Sequence, residues 1–225
     1  MQSSIFACRM MFFVVSFYVG LWTIRIPDIK DQIDTDYLGI GFVLMSFAIG
    51  SVLTMINSSS IIKKYSSKKI LKYSAYLQGL LWLPIPFITN FFVFLAIAFL
   101  VGCIYGLFEV AMNLQASNLE KKSKKSMMSG FHAFYSLGLL LGSFFTSIMI
   151  ELGVSFLLNV IIVVLLLFSI TIYFARMLNN DKNNLFKKNK DSIFFPWPLI
   201  IIVIVIFTIT DSFVEGAVDS WAALY

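Results

Sequence analysis

The sequence predicts an all-α, polytopic membrane protein, and three observations carry this prediction. The 225 residues are 59% hydrophobic and only 13% charged, whereas soluble domains are about 45–50% apolar and about 25% charged. The hydrophobic residues gather in runs of roughly 20, the length that a helix needs to cross about 30 Å of hydrocarbon. Most of the basic residues lie in short segments between these runs. A water-soluble single domain is therefore excluded.

Seven apolar runs are long enough to predict helical spans. The first run continues from the N-terminus to Ile24 without a small-residue cleavage site, which is too long for a signal-peptide core, so it predicts a retained span. The later runs are separated by charged or turn-forming residues. The predicted spans are about 5–24, 38–60, 70–88, 91–117, 127–150, 154–175 and 197–222.

The charges between the spans predict the orientation of the chain. The connections after the second, fourth and sixth spans are rich in lysine, whereas those after the first, third and fifth are acidic or nearly uncharged. Because basic connections remain in the cytoplasm, this alternation predicts a cytoplasmic N-terminus and an external Tyr225. The expected location of the protein is the cell (inner) membrane. Topology thus accounts for the net charge of +5, and no nucleic-acid partner is expected.

The connection 176–195 is longer than the others, polar, and rich in Asn and Lys. It predicts a basic cytoplasmic linker between two helical bundles. Residues 1–175 would then form a six-helix bundle, and 196–225 the first helix of a second, incomplete bundle. Transporters built from repeated six-helix halves have this plan, with a substrate site near the membrane midplane. Five further spans would complete such a chain.

Four segments of the chain carry a family resemblance: LWTIRIPDIK (21–30), GLFEVAMNLQ (106–115), SGFHAFYSLG (129–138) and EGAVDSWAALY (215–225). Together they resemble the major facilitator superfamily, and most closely the sugar-permease branch of fucose permeases and their uncharacterised bacterial relatives. The resemblance covers essentially the whole chain. It implies a six-helix N-terminal bundle of the major-facilitator fold followed by a seventh helix.

The segment 59–69 lies where that family keeps a Gly-x-x-x-Asp-Arg-x-Gly-x-Arg-like loop. Ser59 and Ser66 stand at its glycine positions and Lys63 at its acidic position. Only the cationic part of the pattern is present, and the resemblance implies a gating role for its lysines. These candidate gating residues are Lys63, Lys64 and Lys68.

Glu109 lies inside the fourth apolar span, where a carboxylate costs several kcal/mol unless it is paired, protonated or solvated. Asn113 follows at i+4, so both side chains project from one helix face. His132 lies at a similar predicted depth in the fifth span, within roughly one helical turn. Glu109 and His132 are therefore the candidate proton-coupling residues, and Asn113 and Gln115 are candidate substrate ligands. The alternative for Glu109 and His132 is a structural hydrogen bond.

The seventh span carries an acidic stripe. Asp211, Glu215 and Asp219 repeat at i, i+4 and i+8, and a lipid-facing position would be untenable for such residues. Asp211 and Glu215 are candidate substrate ligands in a cavity, although Asp219 and Glu215 could also lie at the membrane surface. The resemblance makes the first helices of the two halves neighbours. Arg25, Asp28 and Asp219 are accordingly candidate gating residues on the outer side.

Aromatic and small residues have a second set of expected roles. Trp22, Tyr18 and Trp221 lie near the predicted polar cavity and can stack on a sugar, although an interfacial belt explains them equally well. The pairs Gly102/Gly106 and Gly138/Gly142 have the small-xxx-small spacing of closely packed helices.

These features favour a secondary active transporter of a small polar solute, a sugar or similar metabolite, coupled to protons. We expect a monomer in the lipid bilayer, without a cofactor. No metal site is expected, because the single histidine excludes multi-histidine zinc sites and both cysteines lie in apolar runs. A seven-span receptor fits less well because its topology would be inverted. A membrane enzyme lacks a catalytic constellation. A truncated, transport-inactive fragment remains the alternative.

The orientation is tested with reporter fusions. A reporter placed after Tyr225 should report an external location, and one placed within 182–190 a cytoplasmic location, because basic connections are retained inside. The reverse result at either site contradicts the seven-span topology.

Overall fold

The computed structural model describes residues 1–180 and 198–221, excluding the side chains of Asp211, Ser212, Glu215, Asp219 and Ser220. The predicted linker therefore lies largely outside the described residues. Seven α-helices occur in the described part of the chain, and a 3-10 turn at Ile85–Phe87 follows the third. The helices are α1 Gln2–Gln32, α2 Tyr37–Tyr65, α3 Ser67–Trp82, α4 Phe91–Ser123, α5 Met128–Glu151, α6 Phe156–Ala175 and α7 Leu199–Trp221.

The helix starts are fixed by local polar contacts. Asp36 caps α2 by accepting a hydrogen bond from Gly39 N at 2.9 Å, and Asn90 caps α4 by accepting from Val93 N at 3.1 Å. The turn between α4 and α5 is closed by Glu120, whose Oε2 accepts from Met127 N at 2.7 Å and Met128 N at 2.8 Å. Each contact satisfies backbone donors that have no partner inside the helix.

Five helices are long and apolar enough to cross a membrane by length and composition: α1, α2, α4, α5 and α6. The third predicted span, 70–88, is shorter than expected, because α3 has 16 residues and ends at Trp82, just before Pro84. The described apolar part of α7 is also short, at Leu199–Thr210. The fold class is confirmed as a helical polytopic membrane protein.

Helix α1 is longer than its predicted span of 5–24 and reaches Gln32, with Pro27 inside it. The extension is packed rather than solvated, because Ile26 and Ile29 are fully buried and Ile33 beyond the helix is 3% exposed. Burial of this apolar face keeps the segment helical although its sequence is charged. Arg25, Asp28, Lys30 and Asp31, which lie beyond the predicted span, are therefore part of the helix.

Two tightly packed pairs, α1 with α5 and α2 with α4, form the body of the bundle. Helix α3 packs against α4 and α6, and α6 also packs against α1. Helix α7 contacts α1. The largest share of buried residues in a candidate span belongs to α1, so the core of the bundle surrounds this helix.

Glycines bring the backbones of each pair into direct contact. A Cβ at Gly142 of α5 would lie 2.5 Å from the carbonyl oxygen of Phe17, and one at Gly20 of α1 would lie 2.5 Å from Ser143 N. In the other pair, a Cβ at Gly106 of α4 would lie 2.5 Å from the carbonyl oxygen of Ser51. Gly50, Gly102 and Gly138 make equally close approaches. Both small-xxx-small pairs thus lie at helix contacts.

The contact at Gly142 yields a stability prediction. Gly142→Ala should lower the free energy of unfolding by about 1–3 kcal/mol, because the methyl group meets backbone atoms that cannot move aside cheaply. Thermal unfolding of the purified protein in detergent measures the change. Gly41→Ala is the matched control, since nothing lies within 4 Å of a Cβ at that position. Equal effects of the two substitutions would contradict the packing role.

Candidate functional site

A cavity of about 400 Å³ lies between the two helix pairs. Its walls come from α1, α2, α3, α4 and α5, and Gly216 of α7 also contributes. Most of the lining is apolar, with Leu44, Phe94, Ala98 and Val101 on the α2 and α4 side. Such a volume is within the range of about 300–1,000 Å³ that is typical of small-molecule sites.

The wall formed by α1 and α3 combines aromatic rings with an amide. Tyr18 and Trp22 are one turn apart on α1, and Gln78 and Trp82 are one turn apart on α3. The Tyr18 and Trp82 rings are stacked, with centroids 6.0 Å apart and planes inclined by 15°. The Trp22 ring meets Trp82 edge-on at 6.2 Å. We call these four residues the α1–α3 wall.

Three polar atoms of the α1–α3 wall are buried without a hydrogen-bond partner in the described structure. They are the Tyr18 hydroxyl, Gln78 Oε1 and Trp82 Nε1. The three side chains belong to residues that are 1%, 3% and 2% exposed, respectively. Buried polar groups are nearly always hydrogen-bonded in native proteins. Buried atoms without a partner also occur away from the cavity, for example Thr146 Oγ1 and Asn159 Nδ2, so they do not by themselves mark the wall as a binding site.

The opposite side of the cavity joins α4 to α5. The hydroxyl oxygens of Tyr105 and Tyr135 lie 3.3 Å apart, and the Tyr105 ring packs at 5.3 Å from that of Phe47 on α2. Glu109 lies one turn after Tyr105 on the same face of α4. Asn113 Nδ2 donates to Glu109 Oε1 at 3.0 Å and to the Glu109 carbonyl oxygen at 3.0 Å. The structure thus joins the two predicted polar residues of this face.

His132 is exposed on α5, with its ring edge-on to that of Phe12 at 5.4 Å. It lies three residues before Tyr135, and Glu109 lies four residues after Tyr105. Along its helix axis, His132 is therefore about 4.5 Å from Tyr135, and Glu109 is about 6 Å from Tyr105. Because α4 and α5 run antiparallel, both displacements point toward the same end of the bundle. Glu109 and His132 therefore lie at nearly the same level on neighbouring helices.

Arg25 is buried and makes contacts within the N-terminal bundle. Its Nε donates to Asn159 Oδ1 at 3.0 Å, its Nη2 donates to the Val154 carbonyl oxygen at 3.2 Å, and its Nη1 pairs with Asp28 Oδ2 at 3.1 Å. The guanidinium also lies 5.4 Å from the centroid of the Phe156 ring. These contacts tie the end of α1 to the start of α6. The two predicted gating residues Arg25 and Asp28 thus form one cluster.

Several predicted residues lie at the lysine-rich end of the bundle. Gln115 Nε2 donates to Ser67 Oγ at 3.0 Å and to the Asn179 carbonyl oxygen at 2.9 Å, and the residue is fully buried away from the cavity lining. Lys68 Nζ donates to the carbonyl oxygens of Arg176 at 3.1 Å and Leu178 at 2.7 Å. Both therefore tie the end of α6 to the other helices. Exposed Lys63 and Lys64 lie in the last turn of α2.

The acidic stripe of the seventh span lies on residues whose side chains are outside the description: Asp211, Glu215 and Asp219. Gly216 of the same helix lines the cavity. In the described part of the chain, no three His, Cys, Asp or Glu side chains are grouped in a way that could hold a metal ion.

Sequence reasoning missed Gln78, Trp82 and Tyr135, which all line the cavity. A signal for the first two was present, because Gln78 is a polar residue in an apolar run and precedes a tryptophan by one helical turn. Of the predicted substrate ligands, Trp22 lines the cavity, whereas Asn113 lies on the neighbouring Glu109 face and Gln115 at the lysine-rich end.

Arg25 should contribute more to stability than a surface cation of the same helix. Arg25→Gln removes the ion pair with Asp28 and the hydrogen bonds that the charged guanidinium donates to Asn159 and Val154. Hydrogen bonds of a charged group are worth about 1.5–3 kcal/mol each, so the melting temperature should fall clearly. Lys30→Gln is the matched control, because its pair with the exposed Asp31 is worth about 0–1 kcal/mol. A similar melting temperature for both variants would contradict a structural role for Arg25.

Comparison with known proteins assigns the sequence to a family. The sequence model of the Major Facilitator Superfamily matches residues 5–225. An uncharacterised MFS-type transporter of Yersinia pestis is 32% identical over 148 residues, which cover 65% of this chain and 38% of the relative. No solved structure matches the chain.

Two further relatives are rhizobial. An uncharacterised transporter of Sinorhizobium fredii is 26% identical over 56% of this chain and 33% of its own length. Membrane protein MosC of Rhizobium meliloti is 27% identical over 62% of this chain and 34% of its own length. The matched region thus spans between a third and two fifths of these relatives. With the family match over nearly the whole sequence and the helical membrane bundle described above, the chain belongs to the major facilitator superfamily.

Proposed function

We propose that this chain forms the N-terminal half of a secondary active transporter that moves a small polar solute, a sugar or similar metabolite, together with protons. The observation that carries the proposal is the cavity of about 400 Å³ next to the helix face of Glu109. The cavity supplies aromatic and amide groups for a solute, and Glu109 supplies a titratable group. Membership of a transporter family supports the same conclusion.

Glu109 is the proposed proton-coupling residue. Its carboxylate accepts from Asn113 Nδ2, and it lies one turn from the hydroxyl contact between α4 and α5. A carboxylate on a membrane helix is stable in its charged form only with polar partners or water, so conformational changes that open or close access shift its proton occupancy. His132, at nearly the same level on α5, is the proposed second member of the pair.

Alternating access is the proposed mechanism. The six-helix bundle would rock against a second bundle about the central site, with residues 176–195 as the cytoplasmic linker and α7 as the first helix of the second bundle. Arg25, Asp28 and Asp219 are the proposed gating residues at one end of the bundle. Lys63, Lys64 and Lys68 are the proposed gating residues at the lysine-rich end. The proposed oligomeric state is a monomer in the cell (inner) membrane.

Substrate ligands are proposed for two regions. Trp22 contributes an aromatic face in the cavity, and Asn113 contributes an amide beside it. Asp211 and Glu215 of α7 complete the proposed set. Gln115 is left out of it, because its amide nitrogen is taken up by Ser67 and Asn179 away from the cavity lining. The proposed ligands bind the solute, whereas Glu109 and His132 carry the proton. Solute binding should therefore persist when Glu109 can no longer titrate.

Glu109→Gln tests the coupling. The substitution keeps the shape and hydrogen-bonding capacity of the side chain but removes titration. Uptake of a radiolabelled solute into proteoliposomes under an imposed pH gradient should fall to the level seen without a gradient, because the side chain can no longer load and unload a proton, while exchange without a gradient persists. The panel of solutes should include neutral sugars and polyols.

Glu151→Gln is the matched control, because Glu151 is an exposed carboxylate at the end of α5. It should leave gradient-driven uptake unchanged. Gradient-driven accumulation by Glu109→Gln at the parental level would place coupling on another residue, with Asp211 as the next candidate. A parent chain that takes up no solute in the panel would contradict transport by this chain and favour the alternative of a transport-inactive fragment.

A further inference from the structure

The start of α3 and the end of α6 meet at the lysine-rich end of the bundle. Lys68 Nζ donates to the Arg176 carbonyl oxygen at 3.1 Å, and the Tyr76 ring meets that of Phe168 edge-on at 5.7 Å. On each helix the two contacting residues are separated by eight positions, about 12 Å along the axis. The two helices therefore run antiparallel and side by side over this distance.

Three cations gather where these helices meet. Lys69 and Arg176 are exposed, and Lys72 is half-buried. Lys72 follows Lys69 at i+3, so the two side chains are neighbours on the helix surface. None of the three cations pairs with a carboxylate in the part of the chain that the structure describes. Their positive charge is therefore available to an external anion.

Glu120 is the one carboxylate of the described residues at this end of the bundle. Its Oε2 accepts hydrogen bonds from two backbone N–H groups at the start of α5, at 2.7 Å and 2.8 Å. The carboxylate thus closes its own turn, between α4 and α5. It does not compensate the cations of α3 and α6.

Tyrosine rings accompany the cations. Lys72 Nζ lies 5.8 Å from the centroid of the Tyr73 ring and 5.9 Å from that of the Tyr76 ring. Tyr73 is 58% exposed. Tyrosine is enriched at the boundary between membrane and water, so these rings mark the boundary on α3. We define the α3–α6 corner as Lys69, Lys72, Tyr73, Tyr76 and Arg176.

Beyond the rings, the exposed face of α3 becomes apolar. Lys69, Tyr73, Leu77 and Leu80 are all exposed and form one stripe on the helix, at i, i+4, i+8 and i+11. The stripe is about 16 Å long, about half of the roughly 30 Å of hydrocarbon in a bilayer. A cation, a phenol and two leucines follow one another in the order of the phosphate, glycerol and acyl chain of a phospholipid. The stripe therefore matches one leaflet in length and in polarity.

The other lysine-rich turn has the charge without this order. The segment 121–126, between α4 and α5, carries four lysines. In the first two turns of α5 that follow it, the exposed residues are Ser129, His132 and Ala133, which are small or polar. Positive charge is common to both places, whereas the sequence of charge, ring and apolar surface belongs to the α3–α6 corner.

We propose that the α3–α6 corner binds an anionic phospholipid of the leaflet at the lysine-rich end. The two ammonium groups and the guanidinium hold the phosphate, and Leu77 and Leu80 contact an acyl chain. A basic residue near an anionic lipid surface raises the affinity about fivefold. The residues of the corner are absent from the cavity lining, so lipid binding does not depend on the transport proposed above.

Lipid titration of the purified chain in maltoside detergent measures the binding. The probe is phosphatidylglycerol, and the matched probe is zwitterionic phosphatidylcholine with the same acyl chains. Phosphatidylglycerol should raise the unfolding temperature to a plateau, with a midpoint at least about tenfold lower in lipid concentration than that of phosphatidylcholine, because only the former carries a net charge. Equal midpoints, or no rise with phosphatidylglycerol, overturn the proposal.

Glycerol 3-phosphate separates a lipid from a free phosphate, since it has the headgroup chemistry without acyl chains. It should leave the unfolding temperature unchanged at concentrations where phosphatidylglycerol reaches its plateau. A rise as large as that with the lipid would make the corner a phosphate site and overturn lipid binding.

A triple variant assigns the binding to the corner. Lys69→Gln, Lys72→Gln and Arg176→Gln together should raise the midpoint of the phosphatidylglycerol titration at least about tenfold, because three cations are lost. Each midpoint is read relative to the variant's own unfolding temperature without lipid. A parental midpoint in this variant overturns the assignment.

The matched control removes the same charge from the same end of the bundle. Lys121→Gln, Lys124→Gln and Lys125→Gln together change the turn that lacks the apolar stripe, and should keep the midpoint within about twofold of the parental value. Equal weakening by the two triple variants would show a general attraction of charge to lipid, which overturns a site at the corner.

Two measurements keep the test independent of folding defects. The charge-keeping variant Lys69→Arg, Lys72→Arg and Arg176→Lys should titrate as the parent does. In the parent itself, 1 M salt should raise the midpoint at least about threefold, because the Debye length falls to about 3 Å. Loss of binding in the charge-keeping variant, or a midpoint that is insensitive to salt, overturns the proposal.

Discussion

The direct contact of helix backbones at glycines is the constraint on which the rest of the bundle depends. In a lipid bilayer two apolar helices gain little by hiding their surfaces from lipid, so association relies on close packing. Gly20 and Gly142 supply this packing between α1 and α5, and Gly106 supplies it between α2 and α4. Two compact pairs result. The cavity lies between them and is lined by residues of both pairs.

The buried polar side chains of the bundle are hydrogen-bonded only in part. Arg25 and the amide nitrogen of Gln115, near opposite ends of the bundle, donate to acceptors and tie α6 to neighbouring helices. Gln115 Oε1 and Asn159 Nδ2 make no hydrogen bond in the described structure, and neither do Gln78 Oε1 and Trp82 Nε1 on the cavity wall. Buried polar atoms without a partner are therefore not confined to the cavity.

The sequence was sufficient for the helical class and for the faces of individual helices. Apolar runs set the helices, and the i, i+4 spacing placed Asn113 beside Glu109, as the structure confirms. Contacts between helices could not be predicted from the sequence. The extension of α1 to Gln32 depends on burial of Ile26 and Ile29 by other helices, and local charge pointed the other way. The partners of Gln115 are remote in sequence, so its place at the end of α6 could not be read from its own helix.

The long sequence separation of the Arg25 contacts has a consequence for the assembly of the protein during synthesis. Asn159, its hydrogen-bond partner, follows it by 134 residues. At about 5–20 residues per second, the ribosome delivers that partner roughly 7 to 27 s after Arg25. Until then the charged partner available to the Arg25 guanidinium is Asp28, three residues on in the same helix. The hydrogen bond that joins the end of α1 to α6 therefore forms only after the sixth helix has been synthesised.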